Sequence, residues 1–312
     1  MSISLFHELV PFLRSTDLVY LQGWGEPLLN NDLFEMIRVC KARGKRVGFT
    51  TNGMLLTENT IRALVDLQLD IIGISLAGVT PKTHNQLRKG TNLTRVISSL
   101  EQLGKTKAQK KTQRPAVHLA YLMLKSNFHE LEDILPLAES VGATQIIASN
   151  LTLIVDPKLS AEAIFNDTEH GDDYRMALEK MKDKAARENI VFEYHGPGLD
   201  DLSLGCRENV QYACVINVDG DVGPCVVTNP VLCRNRECRD EEPTFHVFKD
   251  QLVPIRGISF GNIGDENLAS IWRNEPYIRF RNTFSPETSR EPDGTQGALS
   301  QCCLQCYKRL GA

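Results

Sequence analysis

The sequence predicts an α/β protein in which a parallel sheet or barrel is followed by a small thiol-rich module. Three observations lead there. Short apolar runs alternate with amphipathic helical stretches as far as Tyr194, which calls for parallel strands joined by crossover helices. Polar residues stand at or just after the carboxyl ends of successive runs, at Glu26, Asn52, Ser75, Asn127 and Asn150. Of the nine cysteines, Cys40 stands alone in the first part of the chain, and the others run from Cys206 to Cys306.

The elements follow in order. Val19 to Gln22 alternates apolar and polar side chains as a strand does, then empties into Gly23-Trp24-Gly25-Glu26-Pro27. The glycines allow positive φ and close approach of a ligand to the backbone. A Glu26 carboxylate beside exposed carbonyls suits an ammonium group, such as the amino end of an amino-acid-like cofactor; a tight turn with a solvated glutamate is the plainer reading. Asn30 or Asn31 caps a helix to about Arg43, with Leu33, Ile37 and Cys40 inward, so Cys40 is a core thiol; Gly44 ends that helix.

Strand Val47 to Gly53 comes next, then a helix opened by Thr57 with Ile61, Leu64 and Val65 inward, then strand Asp70 to Leu76. Thr80-Pro81 marks a helix start, a hydroxyl cap before a proline at the first helical position. A helix around Val96, Ile97, Leu100 and Leu103 leads to strand Ala116 to Leu124. Asn127 and Glu130 stand at capping-box spacing. Strand Gln145 to Ser149, a polar helical stretch from Ser160 to Glu188 and strand Ile190 to Tyr194 complete the pattern. Polar strand tips in register predict a site at the carboxyl mouth of the sheet.

Composition bounds the function. With 312 residues, 42% apolar and 24% charged, the chain can bury a sizeable core and make one large domain plus a smaller one. A net charge of -4 argues against a nucleic-acid groove, and the basic run from Lys105 to Lys111 with Arg114 reads as a solvated helix end. No apolar stretch reaches the ~18 residues that span a bilayer. Met1 to Ser15 lacks the basic start and cleavage site of a signal peptide, so no membrane association and a cytoplasmic location are expected. Disulfides are not expected in that reducing compartment.

The thiol-rich module begins near Gly196-Pro197-Gly198. In it, Val215 to Val222 reads as a hairpin with Asp219-Gly220 at its turn, flanked by Cys206 and Cys225; Cys302-Cys303-x-x-Cys306 follows downstream. The hairpin brings its flanking cysteines near each other, and the terminal Cys-x-x-Cys closes a four-thiolate site. Four thiolates suit zinc or an iron–sulfur cluster, and spacing leaves both open. Unrelated reduced thiols are the plain alternative.

Together these motifs resemble a known family. The Gly-Trp-Gly-Glu-Pro turn, the Thr50-Thr51-Asn52-Gly53 strand end, Ile74-Ser75-Leu76-Ala77-Gly78 followed by Thr80-Pro81-x-Thr83-His84, and the Val218-Asp219-Gly220-Asp221-Val222-x-Pro224-Cys225 hairpin are similar to those of radical S-adenosylmethionine (radical SAM) enzymes with a SPASM or twitch-type C-terminal cluster domain. Phe260-Gly261-Asn262-Ile263 and Leu268-Ala269-Ser270-Ile271-Trp272 match the usual link before the final cysteines. Of the subgroups, maturases of tungsten-cofactor oxidoreductases look closest. The resemblance implies a partial (β/α)6 TIM-like barrel lacking its first strand over residues 1–195, and a small iron–sulfur domain over 196–312. It implies that Gly25 and Glu26 contact the methionyl amino group, that Asn52 and Ser75 lie near the ribose and methionine portions, and that Asn150 sits close to the adenosine. It also makes Cys206, Cys225, Cys303 and Cys306 the ligands of one auxiliary 4Fe–4S cluster, with Cys214 and Cys302 as substitutes and no role for Cys233 or Cys238. The family reaction is reductive cleavage of S-adenosylmethionine to a 5′-deoxyadenosyl radical, used in peptide modification or cofactor maturation. The implied partners are a peptide or protein substrate or a cofactor precursor, and an electron donor.

One departure stands out. The family's defining Cys-x-x-x-Cys-x-x-Cys loop does not occur in these residues, which open with Phe6-His7-Glu8-Leu9-Val10, a helix that follows that loop in the family. The sequence is then either truncated at its start or a degenerate member, and inactive alone. Two other readings compete: a non-catalytic scaffold that keeps the cofactor pocket, and a zinc-binding barrel lyase using Lys125 at the mouth.

Overall fold

The structure, a computed structural model, describes residues 1–199, 206, 208–229, 245–285 and 300–311. Cys233 and Cys238 lie outside the described residues. In chain order the first elements are α1 (Ile3–His7), β1 (Leu18–Tyr20), α2 (Leu33–Lys41), β2 (Arg46–Thr51), α3 (Glu58–Asp66), β3 (Ile71–Leu76), α4 (Pro81–Leu87) and α5 (Leu93–Gln109). They are followed by β4 (Ala116–Met123), α6 (Ile134–Ser140), β5 (Ala143–Asn150), α7 (Gly171–Arg187) and β6 (Val191–Tyr194).

Strands β1 to β6 form one sheet in sequential order, each parallel to the next. Sequential order with same-handed crossovers places the connecting helices on one face and curls the sheet around the other, as in a barrel rather than a doubly wound sheet. Among the described residues β1 pairs with β2 alone and β6 with β5 alone, so the curl stays open as a partial (β/α)6 TIM-like barrel. Strand periodicity separates the two faces. In β4, Val117, Leu119, Tyr121 and Met123 are buried, while Ala116, His118, Ala120 and Leu122 between them remain partly accessible on the opposite face. Register sets Ser75 beside Ala120 and Ile147 beside Glu193 on that second face.

Local signals set the helix starts. The Thr57 hydroxyl accepts the Thr60 N–H at 3.2 Å, and the Thr80 hydroxyl accepts the Thr83 N–H at 3.3 Å with Pro81 in the first helical position. Three expectations need correction. Helix α2 starts at Leu33 behind Asp32, because the Asn30 side chain accepts the Asp32 N–H at 2.9 Å and makes a turn instead of a cap. The stretch after Ser160 is helical in the α sense only from Gly171; 157–162 and 164–166 are 3-10 turns, and the weak helix formers Asn166-Asp167-Thr168 separate them from α7. The capping box at Asn127 and Glu130 does not form, since both side chains have distant partners described below.

Contacts divide the chain into two compact units, one of residues 13–151 and 162–197, the other of 1–12, 152–161 and 198–312. The described part of the second unit holds hairpin β7 (Val215–Ile216) and β8 (Val222–Gly223), with Gly220 at φ +94° in its turn as the Asp-Gly pair predicts. A second hairpin, β9 (Phe245–Phe248) and β10 (Gln251–Pro254), turns through Lys249 and Asp250, both at positive φ. Helices α8 (Leu268–Arg273), α9 (Glu275–Asn282) and α10 (Gln301–Leu304) follow. Phe260 stacks on Tyr277 with ring centroids 4.0 Å apart, which ties the segment before α8 to α9. Among the described residues no helix is long and apolar enough to cross a membrane.

Candidate functional site: a strand-end pocket and a thiol cavity

The turn after β1 is built around Glu26. Its Oε1 accepts the Leu28 N–H at 3.2 Å and the Thr51 hydroxyl at 2.6 Å, and its Oε2 accepts the Asn52 N–H at 2.8 Å. The carboxylate thus locks the Gly23–Gly25 turn to the end of β2. Gly25, at φ +104°, is exposed, and a Cβ there would meet nothing within 4 Å; its glycine serves the backbone angle and leaves open space over the turn. Asn52 is half-buried, and its Oδ1 accepts the Met54 N–H at 2.8 Å. Ser75 is half-buried near the end of β3.

Asn150 closes β5 and is 4% exposed. Its Nδ2 donates to the Gly196 carbonyl at 2.8 Å, while its Oδ1 is buried without a hydrogen-bond partner among the described residues. Asn127 behaves differently. It is fully buried, its Nδ2 donates to the carbonyls of Ala77 and Leu122, and its Oδ1 accepts the Leu124 N–H at 2.8 Å. With every polar atom committed to backbone, Asn127 is a loop pin and not part of the pocket.

Arg88, at the end of α4, was not marked by the sequence. It is half-buried, and its Nε is shielded without a hydrogen-bond partner among the described residues. Burial pulls its pKa down, and the Glu26 carboxylate acts in the opposite direction, which places the two charges in each other's field. The sequence signal was position: Arg88 lies four residues beyond His84, on the helix face that His84 buries. His84 itself is fully buried, its Nδ1 accepting the Ala77 N–H at 3.4 Å; burial first, then Arg88, lowers its pKa to about 4, so the ring is neutral.

Glu130 holds the same loop from below. It is 5% exposed and accepts the N–H groups of Val79 and Thr80, at 2.7 and 3.2 Å, together with the hydroxyls of Thr80 and Thr83. Burial raises its pKa, but these donors outweigh it and hold the carboxyl below its ordinary value. Lys125 is not a free amine at the mouth. Its Nζ lies 3.5 Å from Asp167, which also accepts the Tyr174 hydroxyl at 2.9 Å and contacts His170 Nδ1 at 3.0 Å.

In the second unit Cys206, Cys225, Cys302, Cys303 and Cys306 line one cavity. Apolar packing surrounds it: Val210, Cys225 and Phe284 form a buried cluster against which Phe280 and Cys303 lie. Burial pushes the thiols of Cys206 and Cys303 up to about 12 and raises those of Cys302 and Cys306. Such thiols are protonated at neutral pH until a cation displaces the proton, as ligand thiols must be. A Lys308–Glu208 ion pair stands at the cavity wall. The Cys302 thiol donates to the Arg256 carbonyl at 3.3 Å. Cys214 does not line the cavity; it lies in the field of Arg281, whose guanidinium stacks 3.9 Å from the Trp272 ring centroid. Among the described residues no three of His, Cys, Asp or Glu gather closely enough to hold a lone metal ion.

Comparison with known proteins gives two family matches: the Radical SAM superfamily over residues 14–138 and an iron–sulfur cluster-binding domain, SPASM, over residues 206–307. The tungsten-containing aldehyde ferredoxin oxidoreductase cofactor-modifying protein of Pyrococcus furiosus is 25% identical over 300 residues, covering 92% of this chain and 75% of the relative. A probable GTP 3′,8-cyclase of Methanocaldococcus jannaschii is 32% identical over 269 residues, covering 82% and 78%. Among solved structures, Streptococcus suis SuiB bound to S-adenosylmethionine superposes with a TM-score of 0.63 at 15% identity, over 98% of this chain and 64% of that one. This chain therefore spans less than two thirds of the length of SuiB, and the likeness concerns the fold. SuiB bound to precursor peptide SuiA gives 0.60.

Proposed function

This chain belongs to the radical SAM superfamily and carries a SPASM iron–sulfur domain, and from that premise we propose that it is the cofactor-holding part of an enzyme acting on a peptide or on a cofactor precursor. Both substrate classes occur among its likenesses, a cofactor-modifying protein and a structure bound to a precursor peptide. The two domains imply 4Fe–4S clusters and S-adenosylmethionine. When bound, these supply the one-electron cleavage that opens the reaction. The residues' own part is to bind, orient and shield.

The observation that carries this reading is the Glu26-locked turn facing a half-buried cation. Arg88 supplies positive charge for the methionyl carboxylate. Gly25 and Glu26 serve the ammonium, with Gly25 providing open backbone and Glu26 the unused acceptor capacity of its carboxylate. Asn52 and Ser75 stand toward the ribose and methionine portions, and Asn150, at the end of β5, toward the adenosine. Cys206, Cys225, Cys303 and Cys306 hold the auxiliary cluster, a soft-donor set in an apolar cavity. Cys302, already bonded to a carbonyl, and Cys214, outside the cavity, are the weaker choices.

The reducing cluster does not fit these 312 residues. They contain no Cys-x-x-x-Cys-x-x-Cys run, and Cys40 is fully buried in α2 with its pKa raised to about 11 by burial. We propose that these residues are inactive alone. A barrel lyase has less support, because its mouth lysine is paired with Asp167. Calorimetric titration of S-adenosylmethionine tests the pocket: saturable binding is expected, and no binding at millimolar ligand would refute it.

A further inference from the structure

The proposed ligand thiols differ in how their sulfurs are supported. Burial raises the thiols of Cys206 and Cys306, and backbone N–H groups act against it, Glu208 at Cys206, and Lys308 and Arg309 at Cys306. Side-chain hydroxyls serve the others. Thr228 Oγ1 lies 3.2 Å from Cys225 Sγ and donates to the Cys225 carbonyl at 3.4 Å, and Ser300 Oγ donates to Cys303 Sγ at 3.2 Å.

One hydroxyl departs from its ordinary partner, and the other is shielded from water. Ser300 is the N-cap of α10, where a serine oxygen usually accepts a backbone N–H; here it makes no such bond and gives its proton to sulfur. Thr228 is 4% exposed, so water does not compete for its hydroxyl. While Cys225 is a thiol, either sulfur or oxygen can donate in that pair. Once the sulfur binds iron it has no proton, and the Thr228 hydrogen turns from the Cys225 carbonyl, a long contact at 3.4 Å, to the anionic sulfur, because charge-assisted bonds are the stronger ones.

Resting on the ligand set proposed above, we propose that Thr228 and Ser300 set the reduction potential of the C-terminal cluster by donating hydrogen bonds to Cys225 and Cys303. Reduction adds one electron, part of whose charge falls on the ligand sulfurs. A hydroxyl aimed at such a sulfur stabilises the reduced form more than the oxidised one and raises the potential. Neither residue is a ligand, so removing the hydroxyl leaves four thiolates in place.

The test is an anaerobic dithionite titration of the iron-loaded protein followed by electron paramagnetic resonance, with iron content measured on each sample. Thr228→Val and Ser300→Ala are each expected to bind as much iron as the parent while the equilibrium constant for reduction falls about tenfold, ~59 mV toward negative potential for one electron. Thr228→Ser, which keeps the hydroxyl, is expected to stay within about twofold of the parent, ~18 mV. Full iron with an unchanged potential in both hydroxyl-deleted variants would overturn this inference and leave the ligand set standing. A parent protein that takes up no iron would overturn the ligand set and this inference with it.

Discussion

Glu26 and Asn52 meet through one short bond: the Glu26 Oε2 accepts the Asn52 backbone N–H at 2.8 Å, and so joins the turn after β1 to the end of β2. With Thr51 bonded to the other oxygen at 2.6 Å, the carboxylate is the hub that joins these two strand ends. Its charge also reaches Arg88. The proposed ligand would meet a backbone already fixed in place, which spares much of the ordering cost of binding.

Replacing that hub should cost both fold and ligand. Glu26→Gln keeps the shape but sets an NH2 group against one of three donors, so a loss of about 1.5–3 kcal/mol in stability is expected from the broken charged bonds. Affinity for S-adenosylmethionine should fall at least about tenfold as the turn loosens. Urea unfolding and calorimetry measure the two effects. Unchanged values in both would show that the hub is dispensable.

Arg88 separates ligand recognition from folding. Arg88→Met is expected to weaken S-adenosylmethionine binding by roughly tenfold or more, the worth of one charge-assisted bond. The same variant should bind 5′-methylthioadenosine, which lacks the amino-acid head, as the parent does. Equal losses for both ligands would mean that Arg88 acts by packing.

For Glu130 the sign of the pH dependence is fixed by its lowered pKa. The carboxylate is stabilised by its donors in the folded state, so its contribution is complete above the unfolded value of ~4.3 and fades as pH falls through the lower folded value. Glu130→Gln is expected to cost about 1.5–3 kcal/mol at pH 7. The gap between parent and variant should shrink in acid, read from urea midpoints at pH 7 and pH 3. A gap that widens in acid would contradict the donor account.

These residues also show what the sequence makes legible. Thr57 and Thr80 were readable because a cap is a contact within one turn, and Gly220 because an Asp-Gly turn is fixed by two residues. The parallel barrel followed from strand-helix alternation. Asn127 and Glu130 misled because a capping box competes with tertiary partners: Asn127 donates back to the Ala77 carbonyl, and Glu130 accepts from Val79 and Thr83. Spacing cannot weigh a local bond against one formed across fifty residues of chain. Arg88 escaped notice because a cation at a helix end is usually solvated, and only the fold half-buries it.

Reductive cleavage should be absent from these residues alone. Anaerobic incubation with dithionite and S-adenosylmethionine is expected to give no 5′-deoxyadenosine, because no Cys-x-x-x-Cys-x-x-Cys run is present to hold the reducing cluster. Joined to a segment that carries such a run, the same residues should produce it. Catalytic turnover without that segment would contradict the assignment.

The central claim is that thiols spread from Cys206 to Cys306 hold one auxiliary cluster in a shared cavity. Anaerobic reconstitution with iron and sulfide, followed by iron analysis and Mössbauer spectroscopy, tests it most directly. The account predicts about four irons per chain in a single 4Fe–4S cluster. It predicts loss of most of that iron in Cys225→Ala, with little change in Cys214→Ala. Stoichiometric zinc with no bound iron, or full iron retained in Cys225→Ala, would contradict it.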